Sequence, residues 1–189
     1  MDEQRLIERA KQGDSIAFDK LLQRYWAKIY RLAFSLVGAT LADDVAIETF
    51  EIAWQKLNQF RGSSEFGTWL FRIAVRTAYR HLRSPVSHYE ETWADFVPDD
   101  DLLYSDPEEI LRQREDVQQV HWALQQLPLP LREVIVLRFF EDLSYAQIAE
   151  VLGCSETAVR KRLAKAIHQL TDLLNTPTQF RPQSEASEK

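Results

Sequence analysis

Cysteine is nearly absent. Cys154 is alone among 189 residues, which rules out an intramolecular disulfide framework and points to the reducing cytosol. Glycine is scarce at 5 and β-branched runs are few, so extended, turn-rich architectures are disfavoured and helix is favoured. No apolar run approaches the ~18 residues that a membrane span requires, so no membrane insertion is expected. Met1 to Lys11 is charged throughout and holds no secretory apolar segment. His81, His88, His121 and His168 show no ligand spacing with Cys154, so no metal or other cofactor is expected. No Ser/His/Asp grouping stands out either, and an enzyme is not expected.

What is present is a soluble balance of 45% hydrophobic and 28% charged residues, ordinary for a folded protein. The net charge of −6 argues against a nucleic-acid partner until its distribution is read. Residues 1–83 hold 13 Lys/Arg and 10 Asp/Glu, a net of +3. Residues 84–127 hold 2 and 11, a net of −9. Residues 128–174 hold 6 and 6, and the tail holds 2 and 2. The acidity is therefore one segment, and phosphate binding depends on local charge.

The apolar positions read as helices, without a strand or repeat. Phe18, Leu21, Leu22, Tyr25, Ile29, Leu32, Ala33 and Leu36 follow one buried helical face, which Gly38 closes. A further helix is predicted over Leu41 to Leu57. After the turn Arg61–Ser64, Ser63 or Ser64 is placed to cap a helix ending at Arg83. Ser84-Pro85 stops it, and 84–105 reads as an acidic linker. Asp106-Pro107-Glu108-Glu109 restarts helix. Leu131 to Phe140 reads as a short apolar helix, and the tail 175–189 as disordered. The fold class expected is all-α, with one helical domain over 1–83 and a second over 106–174.

The second domain carries the clearest motif. Ser144-Tyr145-Ala146-Gln147 is a capping box, Gly153 permits a left-handed turn, and Ser155 caps a longer helix. Val159, Leu163, Ala166, Ile167 and Leu170 make its expected buried stripe. Arg160, Lys161, Ala164, Lys165 and His168 fall opposite, a composition that suits a major groove. A plain helical hairpin with a solvated face is the competing reading. In the first domain Arg72, Arg76, Arg80 and Arg83 form a basic stripe with Tyr79 and Trp69 beside it, as single-stranded nucleic acid would require. The loop Phe60–Gly67 could hold a base turned out of its stack, although a core Trp with a solvated arginine face fits equally well. Asp43, Asp44, Glu48 and Glu51 give a mostly acidic exposed face.

Two blocks carry a family resemblance. DDVAIETFEIAWQKLNQFRGSSEFGTWLFRIAVRTAYRHLR resembles region 2 of bacterial sigma factors of the extracytoplasmic-function type, and LPLPLREVIVLRFFEDLSYAQIAEVLGCSETAVRKRLAKAIHQL resembles their region 4. The resemblance implies core RNA polymerase and promoter DNA as partners. Asp43, Asp44 and Glu48 would face the β′ clamp helices, and region 4 would touch the β flap. Phe60, Arg61, Ser63, Ser64, Phe66, Trp69, Arg72, Arg76, Tyr79 and Arg80 would meet the −10 strand. Arg160, Lys161, Ala164 and Lys165 would face −35 DNA, with Arg162 on phosphate. Many members are held inactive by membrane-bound anti-sigma factors, so an anti-sigma factor is a further expected partner. The sequence departs from the family pattern at Ile47, Arg76, Arg80 and Ile167. A stand-alone helix-turn-helix regulator and a polymerase-sequestering module are the alternative functions.

Overall fold

The computed structural model describes residues 2–83 and 107–175, with side chains of the second stretch from 117 onward. The described residues form helices joined by short turns and loops. They form α1 (Glu3–Lys11), α2 (Ser15–Val37), α3 (Ala39–Lys56), α4 (Phe66–Arg83), α5 (Pro107–Gln126), α6 (Leu129–Ile135), α7 (Tyr145–Leu152) and α8 (Glu156–Leu174). The linker expected over 84–105 and all but the first residue of the expected tail lie outside the described residues.

The long helix α2 organises the first group. The Asp14 side chain accepts from the Ala17 N–H at its start, satisfying one of the donors a helix N-terminus leaves over. Leu21, Ile29, Leu32 and Leu36 are fully buried along one face, each contributing about 1.5–3 kcal/mol of apolar transfer. Helices α1, α3 and α4 pack around that face. Gly67 lets α4 approach closely, since a Cβ there would lie 3.0 Å from the Tyr25 ring.

Three boundaries differ from the sequence-based expectation. Helix α3 begins two residues before Leu41 and hands over to a 3-10 turn at Leu57–Gln59. Helix α4 begins at Phe66, where the Glu65 carbonyl accepts from the Trp69 N–H at 3.1 Å, so neither Ser63 nor Ser64 sits at its cap. The single helix expected over Leu131–Phe140 is an α-helix from Leu129 that passes into a π-helical turn, Val136–Phe140. Pro130 fits its first turn because the N–H it lacks would have no helical partner there.

The second group, α5–α8, packs directly against the first. The Phe34 carbonyl takes the Gly38 N–H at the end of α2, and side chains of α5 and α6 add donors to it and to the next two carbonyls. Gln125 Nε2 donates to the carbonyls of Phe34 (3.4 Å) and Ser35 (3.1 Å). Arg132 donates to Leu36 (2.6 Å) while also bonding Gln125 and the Leu127 carbonyl. A cation at a helix C-terminus also opposes the negative end of its dipole. Arg31 of α2 pairs with the fully buried Glu141 carboxylate at 3.0 Å, and Phe34 meets the buried His121 ring edge-on at 5.0 Å. One continuous apolar core runs through both groups.

Candidate nucleic-acid interface

The helix-turn-helix forms as its sequence specifies. The Ser144 hydroxyl accepts from the Gln147 N–H, and the Gln147 side chain accepts from the Ser144 N–H, closing the capping box. Gly153 takes the left-handed conformation (φ 64°, ψ 40°), which a Cβ would penalise. The Ser155 hydroxyl then caps α8. Val159, Leu163 and Ala166 bury α8 against the short helix α6. Ile167, expected in that stripe, is 42% exposed, because the seven-residue α6 is too narrow to cover both flanks.

On the outer side of α8 Arg160, Lys161, Ala164 and Lys165 are exposed together. Arg160 rests 4.1 Å over the Tyr145 ring and pairs with Glu156 at 3.4 Å. A shallow groove of about 520 Å³ runs beside Ala164, Lys165, His168 and Asp172. A bond to its own backbone, then the Asp172 carboxylate at 2.9 Å, raises the His168 imidazole above its ordinary pKa. Arg162 does not join this face. Its guanidinium lies 3.6 Å from the buried Glu133 carboxylate while the side chain stays 38% exposed.

Helix α4 differs in kind. Its four arginines do not form one free stripe. Arg72 bonds the Glu150 carboxylate at 2.7 Å and the Glu150 carbonyl at 3.2 Å, so helix α7 covers it. Arg80 pairs with Glu48 of α3 at 2.8 Å. Arg76, Arg80, Arg83 and Tyr79 line an open cup of about 580 Å³, in which the Arg83 guanidinium lies 5.9 Å over the Tyr79 ring. The Tyr79 hydroxyl bonds Glu133, and burial foremost, then that carboxylate, raises its pKa well above the ordinary value. Burial likewise raises the Glu133 carboxyl, against the opposing pull of Tyr79 and Arg162.

The loop before α4 also divides. Arg61 and Ser63 are exposed and Ser64 is half-buried. Phe60 and Phe66, expected to meet a strand, are buried at 5% and 3% exposure. They stack edge-on at 5.5 Å and hold the half-buried Trp69 ring at 5.3 and 5.5 Å. These two rings thus build the floor of the loop, with Trp69 the aromatic nearest solvent. On α3, Asp43 and Asp44 are exposed beside Ile47, which is 49% exposed. Glu48, expected on the same outward face, is instead tied to α4 through Arg80 and through His81 Nε2 at 2.7 Å. The pairings of Glu48 with Arg80 and His81, of Glu150 with Arg72, and of Gln147 Nε2 with Glu65 at 3.0 Å had no signal in the sequence, because each joins residues far apart along the chain.

Comparison with known proteins meets the same two blocks. The family description "Sigma-70 region 2" matches residues 21–85, and "Sigma-70, region 4" matches residues 118–170. The chain is 42% identical over 172 residues to the RNA polymerase sigma-H factor of Pseudomonas aeruginosa, covering 87% of this chain and 89% of the relative. It is 36% identical over 173 residues to the ECF RNA polymerase sigma-E factor of Escherichia coli K12, covering 88% and 91%. Among solved structures it resembles CnrH, solved in complex with the cytosolic domain of CnrY, with a TM-score of 0.70 and 28% identity over 94% of this chain and all of the other. The sigma factor RpoE from Bartonella quintana, solved with the anti-sigma factor NepR, shares the fold at a TM-score of 0.66 and 24% identity, over 85% and 98%. These matches place the chain in the extracytoplasmic-function group of the sigma-70 family, as a sigma factor that binds core RNA polymerase and directs transcription initiation at promoters.

Proposed function

We propose that initiation divides between the two outward faces just described. Lys161, Ala164 and Lys165, with Arg160 held by Tyr145, read the −35 duplex in the major groove. The cup of Arg76, Tyr79, Arg80 and Arg83, with Trp69, Arg61, Ser63 and Ser64 beside it, takes the unpaired −10 strand. Asp43 and Asp44 face the polymerase clamp. The observation that carries this reading is the pairing of an exposed basic helix face on a capped helix-turn-helix with a separate basic and aromatic cup. Cations tracking phosphates beside an aromatic ring suit a single strand, and a capped helix with cations outward suits a groove.

The protein works by binding and placement, without bond chemistry of its own, and acts in the cytosol. Among the described residues no helix is long and apolar enough to cross a membrane. The similar CnrH was solved in complex with the cytosolic domain of CnrY, and an anti-sigma partner for this chain is part of the same reading. Domain limits of 1–83 and 106–174, with a linker over 84–105, suit this division.

Run-off transcription with purified core polymerase on genomic promoter fragments tests the reading. Discrete transcripts are expected, and they should be lost when Arg76 and Arg83 are both changed to Ala. Undiminished transcripts from that variant would remove the cup from strand capture. Specific DNA binding without polymerase would favour a stand-alone regulator.

A further inference from the structure

Glu48 lies on α3, next to the acidic residues proposed for polymerase, yet both of its carboxylate oxygens are engaged by α4. Oε1 meets Arg80 Nη2 at 2.8 Å, and Oε2 meets His81 Nε2 at 2.7 Å. Two successive residues of one helix are thus gripped by one carboxylate. Arg80 Nη2 also lies 3.5 Å from the Thr77 hydroxyl, and the Arg80 guanidinium borders the cup with Arg76, Tyr79 and Arg83. We propose that Glu48 is a positioning residue for base selection: it holds the Arg80 guanidinium at the rim of the cup so that Arg80 reads a base edge of the −10 strand. This rests on the reading that the cup receives that strand.

The chemistry separates the arginines of the cup. A guanidinium carries five N–H donors in a rigid fork. Glu48 fixes one end of the Arg80 fork, and its Nε and Nη1 have no bonded partner among the described residues. The carboxylate also offsets part of the charge of Arg80, which adds less to phosphate attraction than an arginine with no acidic partner. Arg76 and Arg83 supply that attraction. With Nη2 held by Glu48 and Thr77, both paired edges of the guanidinium are taken, and the fixed group is suited to one directional hydrogen bond from Nη1 to an acceptor on a base edge. The ligand feature named is therefore a single acceptor on the edge of one unpaired base.

The test uses holoenzyme reconstituted from full-length protein and core polymerase, with a pool of single-stranded oligonucleotides randomised over six positions. Wild type is expected to prefer one base at one position by roughly fivefold, as one hydrogen bond to a base edge would give. Glu48→Gln should flatten that preference to within about twofold, and Arg80→Ala should do the same. The double variant should lose nothing further. Core affinity of Glu48→Gln, measured by competition for core, should stay within twofold of wild type. Exchanging the charges (Glu48→Arg with Arg80→Glu) should keep thermal stability but not selection. The proposal is overturned if Glu48→Gln weakens core binding, if it leaves selection unchanged, or if the charge exchange restores selection. Failure of the underlying reading looks different, because Arg76→Ala with Arg83→Ala would then leave oligonucleotide binding intact in wild-type Glu48 background.

Discussion

The two faces proposed for DNA are prepared in opposite ways. On α8, Lys161, Ala164 and Lys165 stand exposed, and only Arg160 is braced, against Tyr145 of its own motif. On α4, Arg72 is bound by Glu150 and Arg80 by Glu48, each from a different helix. The face proposed for −35 is exposed in the free protein, whereas the cup proposed for −10 is partly covered and its cations are partly paired. The arrangement also has a spatial consequence. Helices α4, α7 and α8 pack in succession, so α4 and α8 lie two packing steps apart, on the order of 20 Å. Promoter elements two DNA turns apart lie on the order of 70 Å from each other. If α4 takes the −10 strand and α8 the −35 duplex, as proposed, one molecule cannot engage both while α4 touches α7, and the contact is expected to part when both are read.

The largest effect should come from preventing that opening. Glu65 and Gln147 face each other across the seam, with Gln147 Nε2 donating to Glu65 Oε2 at 3.0 Å. Cysteines at both positions, in a Cys154→Ser background, can be joined by a short bismaleimide. The joined protein should lose run-off transcription by more than tenfold yet still bind a −35 duplex. Full transcription from the joined form would show that the seam need not part.

Acid should loosen the same seam, by a smaller amount. His121 sits between Phe34 of α2 and Phe140, and burial lowers its pKa from 6.5 to about 4. A depressed imidazole stabilises the fold fully above the unfolded value of 6.5, and that stability is lost as pH falls from 6.5 toward 4. At pH 4.5 the loss is about 2–3 kcal/mol. Burial raises Glu133 and Glu141 instead, so their protonation over the same range acts in the opposite sense. His121→Phe isolates the histidine term. Its urea stability relative to wild type should improve by that amount between pH 7 and pH 4.5, and a constant offset would sink the assignment. The exposed face should respond only to its own residues. Lys161→Ala should weaken the −35 duplex by about 1–3 kcal/mol in a fluorescence titration, leaving −10 oligonucleotide binding unchanged.

The sequence made local features legible and long-range ones invisible. The capping box at Ser144, the left-handed Gly153 and the cap at Ser155 are written within three residues of where they act, so the helix-turn-helix could be read directly. Periodicity also placed the exposed side of α8. It failed where two helices decide burial together: Ile167 has the right spacing for the core but no helix above it. Phe60 and Phe66 looked like strand contacts because a loop is a natural place for base capture, yet their rings close the core beneath it. Arg162 and Glu48 share helix faces with functional neighbours, but partners from α6 and α4 claim them. A helical wheel shows which direction a side chain leaves its own helix and nothing of what waits there.

The smallest prediction concerns the turn that joins the seam to the helix-turn-helix. Asp142 has φ 53°, left-handed backbone that costs a residue with a Cβ roughly 1–2 kcal/mol. Glycine removes that cost but loses about 0.5–1 kcal/mol to its freer unfolded chain. Asp142→Gly should therefore stabilise the protein by about 0.5–1 kcal/mol in urea unfolding. A second contribution has the same sign: the Asp142 carboxylate adds to the raised pKa of the neighbouring Glu141, after burial as the main cause. Asp142→Asn separates the two, because it removes the charge and keeps the Cβ. If strain dominates, Asn should gain clearly less than Gly. Equal gains would locate the cost in the charge beside Glu141, and the turn would then belong to the electrostatics of the seam.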